Sequence, residues 1–242
     1  MNRPFDATIE RRLLVNYRAD PDVVARQLPD GFRPQLVDGS AVVGICLIRL
    51  AHVRPRGLPR ALGARSENAA HRIAVEWDGG SGVFIPRRDS GALLNVVAGG
   101  RLFPGAHHHA RFCVREEETS YAVSFEARDR AVAVDVRGHA SPTLRSDLFP
   151  DLDAASRFFA AGSTGVSPGH RGELEGVMLA ASTWSIEPVD LELVRSSWFD
   201  DHDAFPAGSV ELDCGLLMRD LDVTWVPSAR GTAGPSCATI RT

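Results

Sequence analysis

Residues 99–110 read Gly-Gly-Arg-Leu-Phe-Pro-Gly-Ala-His-His-His-Ala, three consecutive histidines behind a glycine-bounded turn. Histidine is the side chain whose ordinary pKa lies nearest neutrality, so it takes and returns protons at physiological pH. If the segment enters a strand, His107 and His109 share one face and His108 takes the other. Two chemistries suit that pattern. A positioned histidine acts as general acid or base, worth ~10²–10⁴-fold in rate. Two histidines on one face, His107 and His109, can instead share a metal, with His52, His71 or Glu67 completing three ligands. No His-Glu-x-x-His spacing accompanies them, so the metal is the alternative and no cofactor is the expectation. A structural reading also stands: a polar strand end with one histidine packed.

Composition narrows the chemistry. All 27 basic side chains are arginine, and the chain has no lysine. Arginine stays protonated and is no amine nucleophile at neutral pH. No side chain here can therefore form a Schiff base with a ketone or with pyridoxal phosphate. A phosphate loop that needs its lysine is excluded as well. A net charge of −4 recruits neither nucleic acid nor anionic membrane. No apolar run approaches a membrane span and residues 1–10 have no apolar signal core, so the expected location is the cytoplasm. Cys46, Cys113, Cys214 and Cys237 are scattered, and read as free thiols in a reducing compartment. Ser163-Thr164-Gly165 lacks the strand-turn-helix context of a nucleophile elbow.

The elements that must position the histidines are mostly strands. Strand formers fill Thr8–Arg18 and Ser40–Arg54, the second a nearly continuous apolar run with Gly44 inside it. Ala70–Trp77 turns through Gly79–Gly82 into residues 83–88, and Leu93–Ala98 is a further short apolar run. Ala110–Glu117 and Tyr121–Arg128 form a hairpin, and Ala131–Ala140 continues the meander. Glu173–Ile186, Leu191–Arg195 and Leu216–Val226 complete the strands, with Gly165–Gly172 as a loop. Asp20-Pro21-Asp22 opens a short helix with an Asp cap and proline in the first turn, and Pro29-Asp30-Gly31 ends it. Asp151–Ala161 is a second helix closed by Gly162, and the acidic segment Ser197–Phe205 suggests a third. The pattern is that of an α+β or mostly-β protein, one domain over residues 1–227, with a flexible tail over 228–242. Exposed strand edges make a homo-oligomer compatible with this pattern.

Several segments carry a resemblance: VNYRADPDVVARQLPDGF (Val15–Phe32), Ser66-Glu67-Asn68, Gly82-Val83-Phe84, GGRLFPGAHHHARF, STWSIEPVDLELV and DLDVTWVP. Together they resemble the acetoacetate decarboxylase-like superfamily, and within it the YqjF-like branch of uncharacterised function. The resemblance implies antiparallel strands curled into a cone-shaped, partly closed barrel around an apolar small-molecule pocket. It implies that Arg18, in the Tyr17-Arg18 pair, holds a substrate carboxylate, and that Glu67 is a pocket acid/base. It places His107 where those decarboxylases carry their Schiff-base lysine and His108 where its cationic neighbour stands. Histidine makes no iminium, so lysine-dependent decarboxylation is not expected here. The resulting expectation is a His/Glu acid–base enzyme acting on a carbonyl or keto acid: a lyase, dehydratase, cyclase or isomerase. Its catalytic residues are His107, His108 and Glu67, with Arg18 and the pocket-wall Trp184 binding substrate. A non-catalytic binding barrel is the other reading. The local basic segment Arg49–Arg72 reads as a solvated loop, and Arg87-Arg88-Asp89 as a strand-end ion pair.

Overall fold

Long β-branched and apolar runs dominate the chain, and they form its longest strands. A computed structural model describes residues 4–92, 105–169, 172–181 and 183–227. In chain order these hold β1 (Phe5–Ala19), α1 (Pro21–Ala25), β2 (Arg33–Pro34), β3 (Leu36–Val37), β4 (Ser40–Pro55) and a 3-10 turn (Arg60–Leu62). Then come β5 (Ala64–Trp77), β6 (Gly80–Ser90), β7 (His107–Glu116), β8 (Ser120–Ala127), β9 (Ala133–Ala140) and α2 (Leu152–Ala161). The last are β10 (Thr164–Pro168), β11 (Leu174–Ala181), β12 (Glu187–Ser196) and β13 (Val210–Pro227).

The sheet closes twice. The strands β13-β1-β4-β5-β6 form a continuous wall. From β6 one path runs through β7, β8, β9 and β12 back to β13, giving a nine-stranded ring. A second path runs through β10 and β11 to β13, giving a seven-stranded ring that shares the wall. Pairing is antiparallel except where β6 meets β7 and β10. The fold class is the expected one, a mostly antiparallel barrel with few helices.

A strand between two cores must be largely apolar on both faces, which is why β4, and the centre of β1 over Leu13–Val15, read as apolar runs rather than as alternation. Leu13, Val15, Val43, Ile45 and Leu47 face the core of the nine-stranded ring. Ile9, Leu14, Val42, Cys46 and Leu50 face a second core on the other side, which receives Ala155 and Phe159 of α2. Full burial of each such aliphatic side chain stabilises the fold by about 1.5–3 kcal/mol. Both helices start as their sequences dictate. The Asp20 carboxylate accepts from the Asp22 and Val23 amides, and Asp151 accepts from the Ala154 amide at 2.7 Å.

Three expectations are corrected. Residues 164–168 are not loop but β10, because Val166 and Ser167 are buried and paired on both sides, with β6 and β11. Ser197–Phe205 is not a helix. It folds as consecutive turns, with Phe199 and Phe205 anchored in the first core and the Phe205 amide donating to the Asp201 carbonyl at 2.7 Å. α1 ends at Ala25, well before Pro29-Asp30-Gly31. The short run Leu93–Ala98, the first half of the histidine-bearing turn and the tail over 228–242 lie outside the described residues.

Candidate functional site

Strand alternation splits three consecutive residue pairs across the shared wall. Arg11, His71 and Arg87 face the nine-stranded ring; Arg12, Arg72 and Arg88 face the seven-stranded one, where they line a cavity of about 140 Å³. Every strand of that ring contributes to the lining, for example Ile9, Cys46, Ala70, Ile85, Gly165, Leu179 and Trp225. Phe159 of α2 and Trp184 complete an apolar surface.

The three cavity arginines have only neutral hydrogen-bond partners among the described residues. Arg12 donates Nη1 to the Met218 sulfur at 3.8 Å. Arg72, 5% exposed, donates to the Asn16 side-chain oxygen and lies 4.9 Å over the Phe159 ring. Arg88 donates Nε to Ser167 Oγ at 3.0 Å. Burial pushes both Arg72 and Arg88 down to about 10, and the charge of Arg12 adds to the shift at Arg72. Two guanidinium N–H groups, Arg12 Nε and Arg72 Nε, are buried without an acceptor, as is the indole N–H of Trp184. Buried donors are nearly always paired in folded proteins; here the same lack of an acceptor recurs away from the cavity at Arg11 Nε and Arg219 Nε, and three such donors belong to residues of the one cavity.

Gly105 connects this cluster to the histidine run. Its φ of +89° suits glycine, and an added Cβ would stand 2.6 Å from Ser167 Cβ, displacing the partner of Arg88. Its amide donates to Glu175 Oε2 at 2.6 Å, and its carbonyl lies 3.0 Å from His107 Nδ1. A carbonyl oxygen only accepts, so Nδ1 carries the proton there, and Nε2 is the basic nitrogen of the neutral ring. β7 pairs with β6 in parallel, setting His107 beside Arg88. His107 lines the cavity.

The other expected site residues lie as follows. Trp184 lines the cavity with His107. His108 is on the opposite face, its Nδ1 3.1 Å from Asp129 Oδ2. His109 follows on the His107 face by alternation, beside Ser90. Glu67 is on the nine-stranded side, where Arg11 and Arg49 each reach it at 2.5 Å and also bind Glu116. Arg18, 41% exposed, pairs with Glu211 and Asp147 and is not among the cavity residues. His52 Nδ1 lies 3.2 Å from the Arg60 carbonyl. His71 is fully buried against Trp198, across the wall from the cavity. Among the described residues no three His, Cys, Asp or Glu stand together as a metal-binding group. The structure thus brings His107 and Trp184 together and leaves Arg18, Glu67 and His108 elsewhere.

Arg12, Arg72 and Arg88 were not singled out as site residues from the sequence. Their signal was present in Arg12: an arginine on the same face as Leu14, next to the apolar run Leu13–Val15, is either ion-paired or functional. Arg87-Arg88-Asp89 does hold an ion pair, Arg87 to Asp89 at 2.9 Å, but it involves Arg87 alone. Among the described residues no helix is long and apolar enough to cross a membrane.

Solved structures with the same fold include an acetoacetate decarboxylase-like enzyme from Sphingomonas wittichii RW1, at TM-score 0.61 and 14% identity, covering 93% of this chain and 91% of that one. Acetoacetate decarboxylase from Legionella pneumophila subsp. pneumophila str. Philadelphia 1 matches at TM-score 0.58 and 14% identity, covering 96% and 90%. The enduracididine biosynthesis enzyme MppR, complexed with pyruvate, matches at TM-score 0.60 and 14% identity, covering 95% and 92%. Comparison with curated proteins gave no match. The fold is therefore the acetoacetate decarboxylase-like one, and since the model of the DUF2071 family, described as an uncharacterized conserved protein, matches residues 6–166, the chain belongs to that family.

Proposed function

We propose that this protein is an enzyme that binds a small carbonyl acid in the seven-stranded ring and moves a proton on the carbon next to the carbonyl, without a Schiff base. The observation that carries this reading is the set of acceptor-less donors, Arg12 Nε, Arg72 Nε and Trp184 Nε1, on residues around one apolar cavity that His107 also lines. Such donors suit carboxylate and enolate oxygens, and bidentate recognition by arginine orients a planar acid. In a low-dielectric site, fixed cations lower the barrier to an enolate-like transition state. His107 Nε2 takes the proton as general base and returns it as general acid. Arg12, Arg72 and Arg88 take the substrate-holding role expected of Arg18, and Glu67 is assigned to its ion pairs with Arg11 and Arg49 and His108 to its contact with Asp129. Decarboxylation, dehydration, cyclisation and isomerisation all pass through that enolate. The partner is a small carbonyl or carboxylate compound, the protein works in the cytoplasm, and a homo-oligomer is compatible with it.

The test is hydrogen–deuterium exchange. Pyruvate, 2-oxobutyrate and 2-oxoglutarate in D₂O should gain deuterium next to the carbonyl, followed by proton NMR. The rate should fall about 10²–10⁴-fold in His107→Gln with the circular dichroism spectrum unchanged. Exchange at the background rate with all three acids would overturn the proposal. Sodium borohydride added to the same mixtures should trap no side-chain adduct.

A further inference from the structure

The charges around the cavity do not balance within the protein. Arg12, Arg72 and Arg88 form no ion pair with any described carboxylate. The residues outside the described set, 1–3, 93–104, 170–171, 182 and 228–242, contain no Asp and no Glu, so they supply no acidic side chain either. Asp89 touches the cavity, but its carboxylate is held by Arg87 through both oxygens. Glu175 is the one carboxylate that acts on Arg88, and its Oε2 already accepts from the Gly105 amide. Three cations, Arg72 buried and Arg12 and Arg88 half-buried, thus have Glu175 as the one nearby carboxylate that no other arginine holds, which leaves positive charge in excess in an apolar enclosure. A bound anion neutralises that excess.

The cations are also distributed along the cavity. Cys46 pairs with Ala70, and Ala70 with Arg88 on the next strand. Arg72 lies two residues further along β5, and Cys46 is within electrostatic reach of both arginines. Arg12 acts on Arg72, while Arg88 stands with Ser167 and, by the strand register, His107. Arg12 thus stands with Arg72, and Arg88 with His107, with Cys46 within reach of Arg72 and Arg88 alike.

We propose that this cavity takes a dianion, a short oxo-dicarboxylate with one carboxylate on Arg12 and Arg72 and the other on Arg88. The inference rests on the carbonyl-acid reading above and narrows its substrate class. A monoanion leaves one end unpaired, whereas a dicarboxylate satisfies both and leaves its carbonyl between them, within reach of His107.

Isothermal titration of the full chain at low salt tests this with four stable probes: 2-oxoglutarate, 2-oxopentanoate, glutarate and inorganic phosphate. The two oxo acids have the same carbon count and differ by a methyl in place of one carboxylate. 2-Oxoglutarate should bind at least about 30-fold more tightly than 2-oxopentanoate, the difference made by one charge-assisted arginine–carboxylate pair. Arg88→Met should reduce that preference to about 3-fold or less, since the second carboxylate then loses its cation. Equal affinity of the two oxo acids in the wild-type protein overturns the dianion and leaves the carbonyl-acid site standing. Glutarate binding as tightly as 2-oxoglutarate supports the dianion and counts against a site that reads a carbonyl. Phosphate matching 2-oxoglutarate overturns the two-ended site, because a compact dianion cannot span it. Failure of all four probes to bind overturns both readings. The wild-type comparison needs no variant, so a misfolded Arg88→Met does not remove the test.

Discussion

The two sides of the shared wall handle arginine in opposite ways. On the nine-stranded side Arg11 and Arg49 meet Glu67 and Glu116 in a closed network of four ion pairs, and Arg87 meets Asp89 and Asp129. On the seven-stranded side, one residue further along the same strands, Arg12, Arg72 and Arg88 have methionine, asparagine and serine as their hydrogen-bond partners. In the first arrangement carboxylates neutralise the guanidinium charges and tie strands together, although Arg11 Nε itself is buried without an acceptor. The second is poised for a ligand. Identical side chains a residue apart thus separate architecture from recognition, and only their partners tell them apart.

Neighbouring substitutions give the largest test of that contrast. Arg11→Met leaves Glu67 and Glu116 short of a cation and should cost about 3 kcal/mol in urea unfolding, because breaking one side of a largely buried pair strands the other. Arg12→Met removes a charge with no carboxylate partner and should change stability by less than about 1 kcal/mol, in either direction. It should weaken oxo-acid binding at least tenfold, roughly the loss of one charged hydrogen bond. Equal destabilisation by both variants would erase the distinction between the two sides.

The next test concerns His71, the member of its pair that faces away from the cavity. Burial, with the Arg87 charge adding to it, pushes His71 from 6.5 down to about 3. The unfolded chain takes up this proton near pH 6.5 and the folded one does not, so the contribution is full above about 6.5 and is lost progressively as pH falls toward 3. His71→Leu should therefore lose less stability than wild type between pH 7 and pH 4.5, read from urea midpoints at each pH. The same downward slope in both proteins would assign the acid sensitivity to other groups.

The smallest effect comes from anions. Sulfate at about ten times its Kd should raise wild-type stability by about 1.4 kcal/mol through binding to the folded state alone. Arg72→Met should lose most of that gain relative to chloride at equal ionic strength, whereas Arg49→Met, on the other side, should keep it. Thermal midpoints are enough to read it.

Much of the fold was legible because it rests on local chemistry. The Asp20 and Asp151 caps, the hairpin of β7 and β8 and the apolar run of β4 follow from residue types and periodicity. β10 was not legible: Thr164–Pro168 is five residues rich in Gly, Ser and Pro, and it is a strand only because β6 and β11 offer it partners. His107 was legible as chemistry, since three histidines in a row are conspicuous. The arginines around it were not. Telling Arg88 from Arg87, or Arg12 from Arg11, requires knowing which face of a strand meets which core. β1 adds a register irregularity between Ile9 and Arg11 that shifts the phase of that alternation. Glu67 illustrates the reverse: the sequence made it a candidate pocket acid, and the strand's pleat turns it to the other side, between Arg11 and Arg49.

The double closure of the sheet constrains how such a chain can change. A wall strand serves two interiors at once, so deleting one residue from β4 or β5 would reverse the facing of every side chain beyond it, delivering arginines to the packed core and leucines to the cavity. Length variation should therefore be confined to the connections between strands, while the five wall strands keep their residue count and diverge by substitution alone.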